Sequence, residues 1–457
     1  MEKINNIPEG WVEANLGFFM KTGTGSVDPS RYKEEVFELY SIPAYDSDKP
    51  EIVKGEKIGS SKKVIVENDV LLSRIVPHIQ RSWIVGPSRG YRQIGSGEWI
   101  IFDGSKINTK YLRYFLLSYK FHMEFMTTVS GVGGSLTRAN PNLTAKFSFP
   151  LPPLSEQNRI VEKLDELFSE LEKGKEQLQL ALAQLKVYRQ AVLKWAFEGR
   201  LTNEEVKEGE LPKGWRVVEL NKVCNKIQDG SHFSPKEQFN SPGIKRYKYI
   251  TAKNIRNNYM DLSNLTYVDE KFHNSIYHRC NPEFGDVLLT KDGVNTGEVT
   301  LNTLHEEFSL LSSVCLFKTK TEELLSEFLK YYFQSPLGSR MITGSMTGTA
   351  IKRIILRKIK VAEILLPSLN EQYLIIEEIK ERLSVCDKIE QTITQVLQQS
   401  ETLRQSLLQQ AFEGKLVPQD PHDEPAAVLL ERIQRERAEA TKPAKSRKPL
   451  RSKTIHT

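Results

Sequence analysis

The sequence predicts an α+β fold: two duplicated mixed α/β domains joined by two long antiparallel coiled-coil helices, with a pseudo-two-fold relation between the halves. Three observations predict it. The stretch 151–201 carries, between its ends, one glycine (Gly174) and no proline, the pattern of one long helix. A second stretch, 366–416, opens Leu-Pro-Ser-Leu-Asn-Glu-Gln where the first opens Leu-Pro-Pro-Leu-Ser-Glu-Gln, and closes Ala-Phe-Glu-Gly-Lys-Leu where the first closes Ala-Phe-Glu-Gly-Arg-Leu. Glu156 and Glu371, and likewise Gly199 and Gly414, stand 215 residues apart, so the two align without a gap as an internal duplication.

The duplication reaches beyond the helices. Pro-Glu-Gly-Trp at 8–11 returns as Pro-Lys-Gly-Trp at 212–215, and Asp69-Val70-Leu71-Leu72 returns as Asp286-Val287-Leu288-Leu289. Leu112-Arg113-Tyr114-Phe115 returns as Leu329-Lys330-Tyr331-Tyr332. The chain therefore reads as a head (1–150), a helix (151–201), a second head (202–365), a second helix (366–416) and a tail (417–457).

The first head mixes short strands with turns. Val64–Val66, Asp69–Leu72 and Trp99–Phe102 are strand-like, and Lys110–Phe125 is read as one helix. The glycine-rich loop at 130–135 lacks the preceding strand and following lysine of a nucleotide loop. Ser155 or Asn158 is the expected cap of the first long helix, and Gly199 its left-handed end. Two seven-residue rows run along it, Leu164, Leu171, Leu178, Leu185, Val192 and Ile160, Leu167, Gly174, Ala181, Tyr188, Trp195. Such a repeat asks for a partner helix in a left-handed supercoil. The second helix supplies one through Ile375, Ile379, Cys386, Ile389, Ile393, Val396, Leu403 and Leu407, with breaks at Arg382, Ser400 and Gln410.

In the second head, Lys245, Arg246, Lys248, Lys253 and Arg256 interleave with Tyr247, Tyr249 and Ile250, a pattern shared by nucleic-acid-binding strands and half-buried ones. Lys291–Gly297 reads as a polar loop after a buried strand, a place suited to base-reading side chains. Past Pro418, Glu424–Ala440 reads as a short helix with Asp423 as cap and Pro425 early in it, followed by a basic disordered tail.

Charge separates along the chain. Residues 1–150 hold 19 Lys/Arg against 16 Asp/Glu, and 212–365 hold 22 against 16. The helical segments 151–211 and 366–441 are acidic, 9 against 12 and 8 against 14. Basic heads suit a polyanion, because Lys and Arg contacts to phosphate release counterions. The four cysteines show no Cys-x-x-Cys spacing, so neither a disulfide framework nor a zinc ribbon is indicated. His273, His278 and Cys280 are expected to be surface-loop polar residues beside a buried thiol, not metal ligands. No signal peptide or run of eighteen apolar residues is evident, and a soluble cytoplasmic protein with no membrane association is expected.

Catalytic patterns are lacking. Glu283, Asp286 and Lys291 come nearest a nuclease cluster but without its spacing, and Asn140-Pro141-Asn142 lacks the second proline and aromatic of an adenine methyltransferase site. No nucleophile elbow is present. A coiled-coil adaptor whose heads bind proteins, and a stand-alone nuclease, remain as other readings.

The doubled Pro-x-Gly-Trp, Leu-Pro-x-Leu-x-Glu-Gln and Ala-Phe-Glu-Gly-x-Leu motifs resemble those of type I restriction–modification specificity subunits, across essentially the whole chain. Tyr40-Ser41-Ile42-Pro43 and Asp229-Gly230-Ser231-His232 resemble features of that family's recognition domains. The resemblance implies two target-recognition domains that read the halves of a split site on double-stranded DNA. It also implies two docked modification subunits and, in the full complex, restriction/translocase subunits. S-adenosylmethionine, ATP and Mg would then belong to those partners, with no cofactor and no metal in this chain. The candidate DNA contacts are Arg74, Arg81 and Arg138 in the first head, and Lys253, Asn254, Arg256, Lys291, Asn295, Thr296, Lys352 and Arg353 in the second.

Overall fold

The computed structural model describes residues 7–440 apart from 22, 132–135, 204, 345 and 348–352. Contacts divide the chain into two units. The first comprises residues 1–176 and 396–457, and the second residues 177–395. Each unit therefore joins one head to the opening of one long helix and the closing of the other. The long helices run Leu154–Phe197 and Leu369–Phe412, 44 residues each.

The first head is built on two sheets. In one, Val70–Ser73 pairs antiparallel with both Ser82–Ile84 and Trp99–Phe102. In the other, of five strands, Val36–Tyr40 runs parallel to Arg92–Gly95 and antiparallel to Glu51–Lys54. The second head repeats the plan. Val287–Thr290 pairs with Val299–Leu301 and Val314–Thr319, and Arg246–Ile250 lies parallel to Ser309–Leu310 and antiparallel to Thr266–Asp269. The central strands Val70–Ser73 and Val287–Thr290 are buried at every position, which accounts for their uninterrupted apolar runs. Each is preceded by a buried aspartate that accepts the N–H three residues back, Asp69 from Val66 (3.0 Å) and Asp286 from Glu283 (2.6 Å). Lys21 pairs with the first at 2.5 Å and Lys318 with the second at 2.8 Å.

The repeated motifs form the joints between head and helix. Trp11 donates its indole N–H to Glu156 at 2.9 Å, and Trp215 donates to Glu371 at 2.9 Å. Gln157 accepts the N–H of Asn108 and donates to the Pro152 carbonyl; Gln372 accepts from Leu325 and donates to the Glu323 carbonyl. Both glutamines are fully buried, so each amide's partners are obligatory. The closing motif packs against the same tryptophan. Gly414 (φ +68°) lies against Pro8 and Trp11, and Gly199 (φ +73°) against Pro212 and Trp215; a Cβ would come within about 2.4 Å of the proline at either position. The preceding phenylalanine enters a pair of aromatic residues on the head. Phe412 contacts Tyr111 and Phe115 edge-on, and Phe197 contacts Phe328 and Tyr332.

Within each unit the two helices run antiparallel, and one contact shows the pseudo-symmetry. In the first unit Arg404 reaches Glu172 at 3.9 Å and lies over the Phe168 ring; in the second Arg189 reaches Asp387 at 2.7 Å. Both members of the second pair stand 215 positions from their counterparts. Val192, Leu193 and Phe197 join Ile375, Ile376 and Ile379 in one core, as Ile160, Leu164 and Phe168 join Leu408 and Ala411 in the other.

Several local expectations change. The first long helix begins at Leu154, so Ser155 and Asn158 lie inside it, and the Gln157 amide ties its start to the Pro152 carbonyl instead. The single helix expected at Lys110–Phe125 is two, Thr109–Leu116 and Tyr119–Thr127, because Ser118 breaks the run and caps the second. Ile389, Val396 and Leu403, placed on the seam by their spacing, are exposed, while Cys386 and Ile393 are buried. The last helix spans Ala426–Ala440, and Asp423 pairs with Arg159 at 2.7 Å without capping it. The glycine-rich loop and the basic tail largely fall outside the described residues.

Candidate nucleic-acid interface

The two buried central strands each end in a cation at equivalent positions, Arg74 and Lys291. Beside each end lies a small hairpin, Val129–Ser130 with Arg138–Ala139 in the first head and Met346–Thr347 with Arg353–Ile354 in the second. The Ala139 N–H bonds to the Arg74 carbonyl (2.8 Å) and the Ile354 N–H to the Lys291 carbonyl (3.1 Å). The fold thus brings together, in each head, a strand-end cation and a hairpin arginine that the sequence keeps more than sixty residues apart.

The side chains diverge from there. In the first head Arg74 and Arg138 share Glu98, at 2.9 and 3.1 Å, and both arginines stay more than a third exposed. Burial works against ionisation of Glu98, but hydrogen bonds from Arg138 and Arg74 outweigh it and hold the carboxyl below its usual range. In the second head Lys291 is buried and donates to Asp229 at 2.6 Å. Arg279 and His232 complete the cluster, each 3.0 Å from the same carboxylate. Asp229 too is held low: burial opposes ionisation, and the bond and charge of Lys291 overcome it. Each cluster gathers two cations around one carboxylate beside the equivalent strand end, the second cation coming from the hairpin in the first head (Arg138) and from Arg279 in the second.

Lys291, a candidate DNA contact on its loop position, lies buried in the second head. A buried lysine needs a carboxylate partner, and Asp229 supplies it from a distant strand. The Thr296 hydroxyl donates to the Gly293 carbonyl at 2.6 Å, the main-chain carbonyl of Asn295 accepts the Glu298 N–H, and both residues are half-exposed. Asn254, another candidate, is buried, accepting from the Thr251 N–H at 3.0 Å and donating to the Asp261 carbonyl at 3.0 Å. The turn that Asn254 builds presents Lys253 to solvent. Lys253 borders a groove of about 740 Å³ lined also by Ser234, Gln238, Asn240 and Tyr249. The buried Tyr249 hydroxyl has no hydrogen-bond partner among the described residues.

Arg256 caps the Ile255 carbonyl at 2.7 Å and approaches Glu298 at 3.7 Å. Arg81 is mostly buried, 3.5 Å from Asp46. Arg353 is described in its backbone only, and Lys352 lies outside the described residues. Lys245 and the basic residues of Arg246–Ile250 pair with neighbours: Lys245 with Glu270 at 2.9 Å, Lys248 with Glu306, and Arg246 over the Phe239 ring. That is the half-buried strand, with Tyr247 stacked 3.7 Å from His273. His273 itself sits on the helix Glu270–Tyr277 and is buried, not on a surface loop; Cys280 is buried as expected. No group of three potential metal ligands occurs among the described residues.

Glu98 and Asp229 are what sequence reasoning missed as organisers of these clusters. Asp229 had a signal, the Asp-Gly-Ser-His turn; Glu98 had none.

The doubled architecture has a counterpart among known proteins. The family described as type I restriction modification DNA specificity domain matches residues 8–180 and again 212–399. The chain belongs to this family. Its specificity-domain copies each end inside a long helix, as the pseudo-symmetry requires. The specificity subunit of the type I restriction enzyme EcoBI from Escherichia coli is 29% identical over 326 residues, 65% of this chain and 66% of that protein. The chain thus aligns with about two thirds of that relative's length. A chain from a structure concerned with complex assembly of the type I restriction–modification system superposes with TM-score 0.71, at 21% identity, over 90% of this chain and 99% of the other. The HsdS subunit from Thermoanaerobacter tengcongensis gives TM-score 0.63 at 21% identity, over 91% and 100%. Both share this specificity fold. No described helix is long and apolar enough to cross a membrane.

Proposed function

We propose that this chain is the DNA-reading subunit of a type I restriction–modification complex, each head reading one half of an interrupted, asymmetric site on double-stranded DNA. The observation that carries the reading is the doubled cationic cluster, Arg74 with Arg138 and Lys291 with Arg279, set at equivalent strand ends in heads whose other polar residues differ. A shared frame with unlike reading faces suits two different half-sites. The chain performs no chemistry itself: S-adenosylmethionine, ATP and Mg act on its partners, two modification subunits and the restriction/translocase subunits. Leu180, Val187, Val385 and Ile389 leave apolar side chains exposed on the helices of the second unit, surface suited to a protein partner.

On this reading the helices set the unread spacer. Four residues inserted into the first long helix add about 6 Å, close to two base-pair steps. Mapping methylated sites in cells that co-express the modification subunits should show a spacer about two base pairs longer with both half-sites unchanged. An unaltered spacer would refute the ruler, and no sequence-specific methylation with the parent chain would refute the reading itself.

A further inference from the structure

The last described helix, Ala426–Ala440, has no counterpart among the described residues of the second unit, where the chain continues from the first long helix into the second head. In the first unit this helix covers the joint. Ala426, Leu429 and Ile433 are buried in the same core as Trp11 and Ala14, and the Ala426 N–H bonds to the Gly10 carbonyl at 3.0 Å. Glu436 pairs with Lys106 at 3.1 Å, Asp423 with Arg159 at 2.7 Å, and Arg437 donates to the Gly17 carbonyl at 2.5 Å.

The equivalent place in the second unit is an open groove of about 380 Å³ bordered by Gly214, Arg216, Glu322, Glu323, Leu366 and Leu369. Two consequences of the missing cover are visible. The Trp–Glu hydrogen bond, buried in the first unit, is only partly buried in the second. Ala14 is buried, and Val218 in its place is half-exposed. Arg216, in the place of the partly buried Val12, suits a surface meant for water, yet other exposed substitutions run the opposite way. Asn158 and Arg159 are replaced by Tyr373 and Leu374, which are 57% and 61% exposed, and Glu13 is replaced by Val217. At the far side Lys106, the partner of Glu436, is replaced by Glu323, which pairs with Arg216 at 2.8 Å, and the exposed Glu322 stands beside it.

We infer that this groove receives an amphipathic helix from a protein partner, seated as the last helix is seated in the first unit. The occupant presents apolar residues at the spacing of Ala426, Leu429 and Ile433, apolar contact toward Leu374 where Asp423 meets Arg159, and a basic residue toward the exposed Glu322. The inference rests on the duplication and on the exposed apolar residues, so its test contains no DNA and can fail independently of the proposed function.

The probe is a fluorescent synthetic peptide of residues 421–440 carrying Glu436→Lys, titrated against the full chain by anisotropy. The expected result is saturable binding that the pair Tyr373→Glu and Leu374→Glu weakens at least about tenfold, that Arg159→Leu in the first unit leaves unchanged, and that is weaker for the peptide with Glu436 retained. Thermal melts check folding of the variants: Tyr373 and Leu374 are exposed, and Arg159, half-buried against Asp423, is read for its effect on stability. Absence of saturable binding, or binding indifferent to Tyr373 and Leu374, overturns the proposal. So does binding lost on Arg159→Leu, which marks displacement of the chain's own helix. A dimer of the chain in sedimentation that the Tyr373 and Leu374 substitutions dissolve also overturns it, because a second copy is then the occupant.

Discussion

In the first unit Lys110 pairs with Asp165 at 2.6 Å; in the second, Glu327 stands in the lysine's place and Lys380 in the aspartate's, paired at 2.9 Å. The pair has survived with its charges exchanged. The tryptophan–glutamate bonds, the buried glutamines and the phenylalanine clamps survived with residue types nearly unchanged. Fully buried polar groups tolerate few partners, whereas an exposed ion pair needs only opposite signs. Farther from the joints the units part company. Arg74 shares a half-exposed glutamate with Arg138, while its counterpart Lys291 is sealed against Asp229. The comparison teaches that the frame is held by burial, and that the heads differ in how far burial reaches their strand-end cations.

The sharpest way to break this comparison is at the two carboxylates. Asp229→Ala strands Lys291 in the interior and should cost about 3–5 kcal/mol. Lys291→Met should cost less, because Arg279 and His232 still face Asp229. Glu98→Ala should cost about 1 kcal/mol or less, since Arg74 and Arg138 can reach water. Urea unfolding of the three variants measures the order; equal costs in both units would contradict the difference in burial.

A smaller effect separates the heads in reading. Lys253→Ala with Arg256→Ala should alter one half of the methylated site, and Arg74→Ala with Arg138→Ala the other, at about 1–3 kcal/mol per lost base contact. Equal weakening on every DNA sequence, with a reduced salt slope, would assign these residues to phosphate instead.

The smallest concerns acid. His273 has its pKa lowered, first by burial, with Glu307 pulling weakly the other way. Because the folded pKa lies below the unfolded one, the unfolded chain binds the extra proton first. Stability is therefore full above the ordinary histidine range and falls as pH drops through it toward the folded pKa. The urea midpoint should be lower at about pH 5.5 than at about pH 7.5. His273→Phe, which keeps a ring against Tyr247, should remove that histidine's share of the difference; an unchanged difference would place the acid sensitivity elsewhere.

The sequence by itself determined the duplication, the two long helices with their glycine ends, and the family, because matched motifs and a seven-residue period are properties of the chain order alone. It marked Trp11, Glu156 and Gly414 as motif residues but not as parts of one joint, since the helix that closes on Trp11 is the one farther along the chain. Only the tertiary structure decided that Lys291 and Asn254 are interior groups, that Ile389 and Leu403 face solvent, and that one joint is covered while its twin is open. The reason is that burial is set by what packs against a residue. For Lys291 the deciding partner lies 62 positions away on another strand, and no local pattern encodes it.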